Sequence, residues 1–160
     1  MSGRWDDISQ TEAWISQQIS QPDSFQFTIE LPQDASEDTD KSLKPKIIGS
    51  IGTPAWSESE VYHKVLREIG FMLHPHVWGK GYASEALEGL IKAIFEKDND
   101  LTHLIARADE GNRASNRVIE KSGFRKVERV EYENKTLGKR FLLKYELTKP
   151  KSMYGSMMKS

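Results

Sequence analysis

The sequence predicts an α/β (α+β) fold, a mixed and mostly antiparallel sheet flanked by helices, within 160 residues. Three observations carry this expectation. Ala83 to Phe95 repeats apolar residues at the i, i+3, i+4, i+7 spacing of one helical face. Phe25 to Leu31 (FQFTIEL) alternates at period two, as a half-buried strand does. The remaining apolar runs give the order strand, helix, strand, helix, strand pair, with a hairpin ahead of them, which is not the layout of a purely parallel sheet.

Each element has its own local reason. Ser9 to Ile19 opens on a residue that can cap and sets Trp14, Ile15 and Ile19 on one face, so a short amphipathic helix is expected. Pro32 to Pro45 (PQDASEDTDKSLKP) is polar and poor in large apolar residues and reads as a flexible loop. Lys46 to Ile51 (KIIGSI) and Arg67 to Leu73 (REIGFML) read as an antiparallel hairpin around a turn-rich segment. The helix at Ala83 to Phe95 follows, lined by Ala83, Ala86, Leu87, Leu90, Ile91, Ile94 and Phe95. Leu101 to Ala108 reads as a strand, and Ala114 to Ser122 as a helix closed by Gly123 in a left-handed C′ position. Phe124 to Val130 and Arg140 to Leu147 complete the sheet. One domain is expected over residues 1–148, with Lys149 to Ser160 a disordered tail.

Composition narrows the function. Lys plus Arg number 23 against 24 Asp plus Glu, a formal charge of −1, so no global basic field exists for a nucleic acid or an anionic membrane. Anions must be bound locally. With no cysteine, a disulfide scaffold, a thiol nucleophile and thiolate metal sites are excluded. No secretory h-region opens the chain and no 18-residue uncharged run occurs, so a cytoplasmic location is expected. His74 and His76 flank Pro75 without the further ligands a metal needs, and a surface loop is expected there, with no metal.

The run from Arg67 to Ala86 (REIGFMLHPHVWGKGYASEA) joins a strand, a loop and a helix start. That succession can hold phosphate. The first turn of a helix leaves N–H groups without intrahelical partners, and Gly79 and Gly81 remove the Cβ atoms that would keep a pyrophosphate away. An anion at such an end gains about 0.3–1 kcal/mol from the dipole. Lys80 adds a charge. The Walker A pattern fails, because His74 stands where its first Gly belongs and Gly81 follows the Lys. The dinucleotide fingerprint fails at Ser84 and on the hairpin-rich layout.

The spacing that fits is Q/R-x-x-G-x-G/A, met here as Trp78-x-x-Gly81-x-Ala83, with Trp in place of Gln or Arg. EIGFMLHPHVWGKGYASEAL resembles the RimJ/RimL-like branch of the GNAT N-acetyltransferases, the Acetyltransf_3 type. A second block, Asn112 to Phe124 (NRASNRVIEKSGF), is similar to that branch's N-x-x-S-x-x-V-x-E-K-x-G-F. The resemblance covers Ile47 to Leu147 well and Ser9 to Leu31 loosely.

It implies a GNAT fold with acetyl-CoA as cofactor and an amine as acceptor. Pantetheine would pair with the backbone of Phe71, Met72 and Leu73, the Leu73 N–H serving as oxyanion donor. The pyrophosphate would lie on the amides of Gly79, Gly81, Tyr82, Ala83 and Ser84, beside Lys80. Asn112 would hold the pantetheine arm. Ile119 stands where many relatives have the Tyr that protonates the departing thiolate, and the RimL-like pattern gives that role to Ser115. An aliphatic amine, with a pKa of about 10.4, must lose a proton before attack. Glu68 is a candidate base and His74 the next.

Plainer readings stand beside these. Asn112 fits a helix cap, Ser115 a helix surface, Glu68 a cross-strand partner of Lys or Arg, and Trp78 a packing anchor for the loop. Arg113, Arg117 and Lys121 suit either the 3′-phosphate of CoA or solvent. Against the family pattern the usual first strand and first helix are expected to be missing, with a partner subunit, as in a homodimer, or an altered N-terminal path covering the bare edge. Two functions follow from the resemblance: direct acetyl transfer to a primary amine of a protein N-terminus or a small molecule, or a non-catalytic CoA-binding scaffold.

Overall fold

The computed structural model describes residues 25–31, 46–53, 66–134 and 136–153, with 13, 16 and 20 besides. Among them six strands form one sheet: β1 (Phe25–Leu31), β2 (Lys46–Thr53), β3 (Leu66–Leu73), β4 (His103–Asp109), β5 (Arg125–Asn134) and β6 (Gly138–Thr148), in the order β1-β2-β3-β4-β6-β5. Only the β3–β4 pair is parallel among these. Its crossover is the helix α1 (Tyr82–Lys97), and a second helix, α2 (Arg113–Lys121), joins β4 to β5. The mixed sheet and the expected hairpin are therefore present. The helix expected at Ser9–Ile19, the loop at Pro32–Pro45 and the expected loss of a first strand and helix fall outside the described residues, but for positions 13 and 16.

Both helices lie on one face of the sheet and touch each other. Of the predicted apolar stripe, α1 buries Leu87, Leu90, Ile91, Ile94 and Phe95. They meet Ile51 of β2, Ile69 of β3, Leu104, Ala106 and Ala108 of β4, and Leu143 and Tyr145 of β6. Each such side chain contributes about 1.5–3 kcal/mol on burial. Alternation sends Glu68, Gly70 and Met72 to the opposite face. Gly49 has a steric reason: a Cβ there would strike the Met72 carbonyl across the β2–β3 ladder.

The segment from Lys149, expected as a disordered tail, instead begins with a docked turn. Lys149 is buried, its N–H donates to Thr102 O at 2.8 Å and its Nζ to Asp98 O at 3.2 Å. Lys151–Met153 forms a 3-10 turn whose Met153 packs on the core. Sequence polarity hid this, because a lysine stem buries readily when its ammonium reaches a helix C-terminal carbonyl.

Candidate active site

The sheet opens between its two parallel strands. Pairing of β3 with β4 runs from Leu66↔His103 to Ile69↔Ala106 and stops, whereas β3 continues against β2 through Gly70, Phe71, Met72 and Leu73. Beyond Ile105, β4 remains paired with β6 as far as Asp109. The His74 N–H donates to Ile48 O at 2.8 Å, on the β2 side. Ladder alternation therefore turns the Phe71 and Leu73 peptide groups into the gap and those of Met72 toward Ser50 of β2, so, contrary to expectation, the Met72 backbone is not open to pantetheine. Leu73 O accepts the Trp78 indole N–H at 2.9 Å; among the described residues, Leu73 N–H and Phe71 N–H have no partner strand there.

At the mouth of the gap sits the start of α1. Its cap is Gly81, left-handed at φ 87° and with no side-chain capping bond. Gly79 is also left-handed, at φ 75°, and nothing lies within 4 Å of where a Cβ would stand on either residue. These are positions where glycine is needed both for the turn and to keep the backbone open. Among the described residues, the N–H groups of Gly79, Gly81, Tyr82 and Ala83 have no acceptor. The Ser84 N–H already donates to Gly81 O at 3.0 Å, so its amide is committed to the first helical turn. Lys80 is exposed beside them.

Trp78 differs from its expected role. It is 64% exposed, so it does not anchor the loop by packing; its hydrogen bond to Leu73 ties the loop to the end of β3. His74 caps the short Pro75–Val77 turn through its Nδ1, and its ring stacks on His76 with centroids 4.9 Å apart.

Across the gap β4 runs on to Asp109 and then turns into α2. Asn112 is its N-cap, the side-chain Oδ1 accepting the Ser115 N–H at 3.1 Å. That leaves the Asn112 Nδ2 group free to donate toward a ligand. Ser115 is half-buried in the first turn, and Ile119, one turn on, is wholly in the core. Glu68 is paired: Arg107 Nη1 donates to its Oε2 at 2.6 Å from the neighbouring strand. Burial raises the Glu68 pKa above the ordinary carboxylate value, and Arg107 and then Lys144 oppose that rise. The plainer reading of Glu68 as an ion-pair partner thus holds, without removing it from the sheet face beside the gap.

Sequence reasoning missed one cluster. At the end of β4, Asp109 accepts two hydrogen bonds from Arg140, at 2.5 and 3.0 Å, one from the Tyr132 hydroxyl at 2.9 Å and one from Gly111 N–H at 2.7 Å. The Arg140 contact, chiefly, holds the Asp109 pKa down at about 2. The partners come from β5 and β6, 23 and 31 positions away, and no local pattern signals them.

A sheet split between parallel strands, with unpaired amides inside the split and a glycine-lined helix start at its mouth, defines a cofactor-cleft protein of the α+β class. The chain matches the Acetyltransferase (GNAT) domain model over residues 2–125 and belongs to the GNAT acetyltransferase family, whose cofactor is acetyl-CoA. It is 32% identical over 78 residues to an uncharacterised protein, YkkB, of Bacillus subtilis (strain 168), a stretch that takes in 49% of this chain and 45% of that relative. A GNAT-family acetyltransferase of Bacillus anthracis superposes with a TM-score of 0.55 at 27% identity, over 64% of this chain and 58% of that one. The chain thus spans about half the length of these two relatives. Spermidine N-acetyltransferase from Vibrio cholerae, solved with CoA and spermine, superposes with a TM-score of 0.72 at 16% identity, over 96% of this chain and 80% of its own.

Proposed function

We propose that this chain is an acetyl-CoA-dependent N-acetyltransferase acting on a primary amine. The observation that carries the reading is the gap itself: free Phe71 and Leu73 amides along one wall, and free Gly79, Gly81, Tyr82 and Ala83 amides at its mouth. The open Cβ positions of Gly79 and Gly81 fit a pyrophosphate laid on backbone, and Asn112 Nδ2 fits a pantetheine carbonyl. Several charge-assisted N–H bonds of about 1.5–3 kcal/mol each suffice to hold a polyanion on a chain of net charge −1.

Bound acetyl-CoA supplies a thioester whose C–S bond breaks as the C–N bond to the amine forms. The Leu73 N–H, fixed in direction by the β2–β3 ladder, donates to the carbonyl oxygen as charge gathers on it. The Glu68 carboxylate takes the amine proton, directly or through water. Its burial raises its proton affinity toward that task, and the Arg107 charge opposes the rise. The Ser115 hydroxyl gives a proton to the departing sulfur and regains one from solvent. Among acceptors, a small amine is favoured over a protein N-terminus by the Vibrio cholerae relative, which acts on spermidine.

The test is thiol release from acetyl-CoA against a panel of small primary amines and N-terminal peptides. Amine-dependent release of free CoA is the expected result. Binding of acetyl-CoA with no release on any amine would establish the non-catalytic scaffold in its place.

A further inference from the structure

Asp109 cannot bind a ligand, because all its acceptor capacity is filled from within the chain. Oδ1 takes Gly111 N–H and Arg140 Nη2; Oδ2 takes Arg140 Nε and the Tyr132 hydroxyl. Its backbone carbonyl takes two more bonds, from Asn112 N–H at 2.9 Å and Asn116 Nδ2 at 3.0 Å. Asn116 is itself buried, with its Oδ1 accepting the Tyr145 hydroxyl at 3.1 Å. Next door, Arg129 of β5 grips Glu110 through two bonds of 2.8 and 2.9 Å, and Glu110 N–H donates to Phe141 O. The turn between β4 and α2 is thus clamped from the β5–β6 hairpin, and the clamp ends on Asn112. A Cβ on Gly111 would stand 2.9 Å from Arg140 Nη2 and 3.0 Å from Asp109 Oδ1, so any side chain there would press on the pair.

From this geometry we infer that Asp109 and Arg140 are positioning residues for the cofactor, acting through Asn112 at the cap of α2. Asn112 is exposed and, among the described residues, its side chain reaches only Ser115 N–H, so its direction follows from the turn below it. A fixed turn presents Asn112 Nδ2 in one orientation; a loosened turn spreads that donor over several and lowers its contribution to binding. The inference rests on the reading of the gap as the acetyl-CoA site.

The test is calorimetric titration of CoA into the full chain and into Asp109→Asn, Arg140→Gln and Tyr132→Phe, alone and with Asn112→Ala, with melting temperatures measured alongside. Asp109→Asn and Arg140→Gln are expected to weaken CoA about tenfold and Tyr132→Phe about twofold, within the range found for coupled neighbours. In the Asn112→Ala background the same changes are expected to cost less than about twofold, since the residue they act through is gone. Lower melting temperatures with unchanged CoA affinity would overturn the inference, as would a full penalty persisting without Asn112. If the wild-type chain bound no CoA, the cofactor reading would fall and the positioning role with it. If it bound CoA normally and the variants did too, only the positioning role would fall.

Discussion

The indole N–H of Trp78 donates to the carbonyl of Leu73 at 2.9 Å, joining the glycine loop to the strand that ends in the gap. The two backbone surfaces proposed to hold the cofactor are thus linked by one side-chain bond, on a ring that is 64% exposed. Trp78→Phe keeps an aromatic ring and deletes that donor. A net hydrogen bond is worth about 1 kcal/mol, so kcat/KM for acetyl-CoA should fall about fivefold and the melting temperature drop by about 2–4 °C. Steady-state kinetics beside a melting curve check this.

Asn112 and Ser115 share one bond but are proposed for different tasks, and their variants should separate. Asn112→Ala removes a helix cap worth about 1 kcal/mol, so it should lower the melting temperature as well as raise KM for acetyl-CoA. Ser115→Ala should leave KM nearly unchanged and lower kcat by about a hundredfold, the scale of a lost general acid. Equal effects on both constants in Ser115→Ala would remove it from the proton transfer.

Glu68 sits beside Arg107 with its pKa raised by burial. A base accepts a proton only when ionised, so the rate should fall as pH drops through that raised value. The acidic limb of kcat/KM should therefore lie above the ordinary carboxylate range, and Glu68→Gln should abolish the limb along with most of the activity. A limb that persists in Glu68→Gln would assign the base elsewhere.

Asp109 runs the other way. Its pKa is lowered from 3.8 to about 2, chiefly by Arg140, so its stabilising effect is present above pH 3.8 and is lost as pH falls toward 2. Wild-type melting temperature should drop across that window, and the drop should be shallower in Asp109→Asn, which has no carboxylate to protonate. Melting curves at pH 5, 4, 3 and 2 decide it.

The sequence carried the periodic parts of this fold. The α1 stripe was legible because Leu87, Leu90, Ile91, Ile94 and Phe95 repeat at helical spacing and all are buried. β1 alternates clearly enough to be bounded at Phe25 and Leu31. Leu101 was read into β4, but it lies just ahead of it, its N–H capped by Asp98 Oδ1 at 3.2 Å, because an apolar residue at 0% exposure looks the same on a strand or beside one. The glycine loop was legible through Gly79 and Gly81, whose positive φ angles other residues rarely adopt. The gap between β3 and β4 was not readable from the residues alone, since pairing that stops after Ile69 leaves no mark on composition. The Asp109–Arg140 pair was invisible for the same reason, its members being 31 positions apart.

CoA is proposed to lie with its phosphates on the backbone around Gly81. Calorimetric titration of acetyl-CoA into the wild type and Gly81→Val tests it most directly. A β-branched residue at φ 87° is strained and its side chain enters the open space above the loop. Binding by the wild type and a loss of about a hundredfold or more in a folded Gly81→Val, the scale of several lost charge-assisted bonds, is the predicted result. Unchanged affinity in Gly81→Val would contradict the placement.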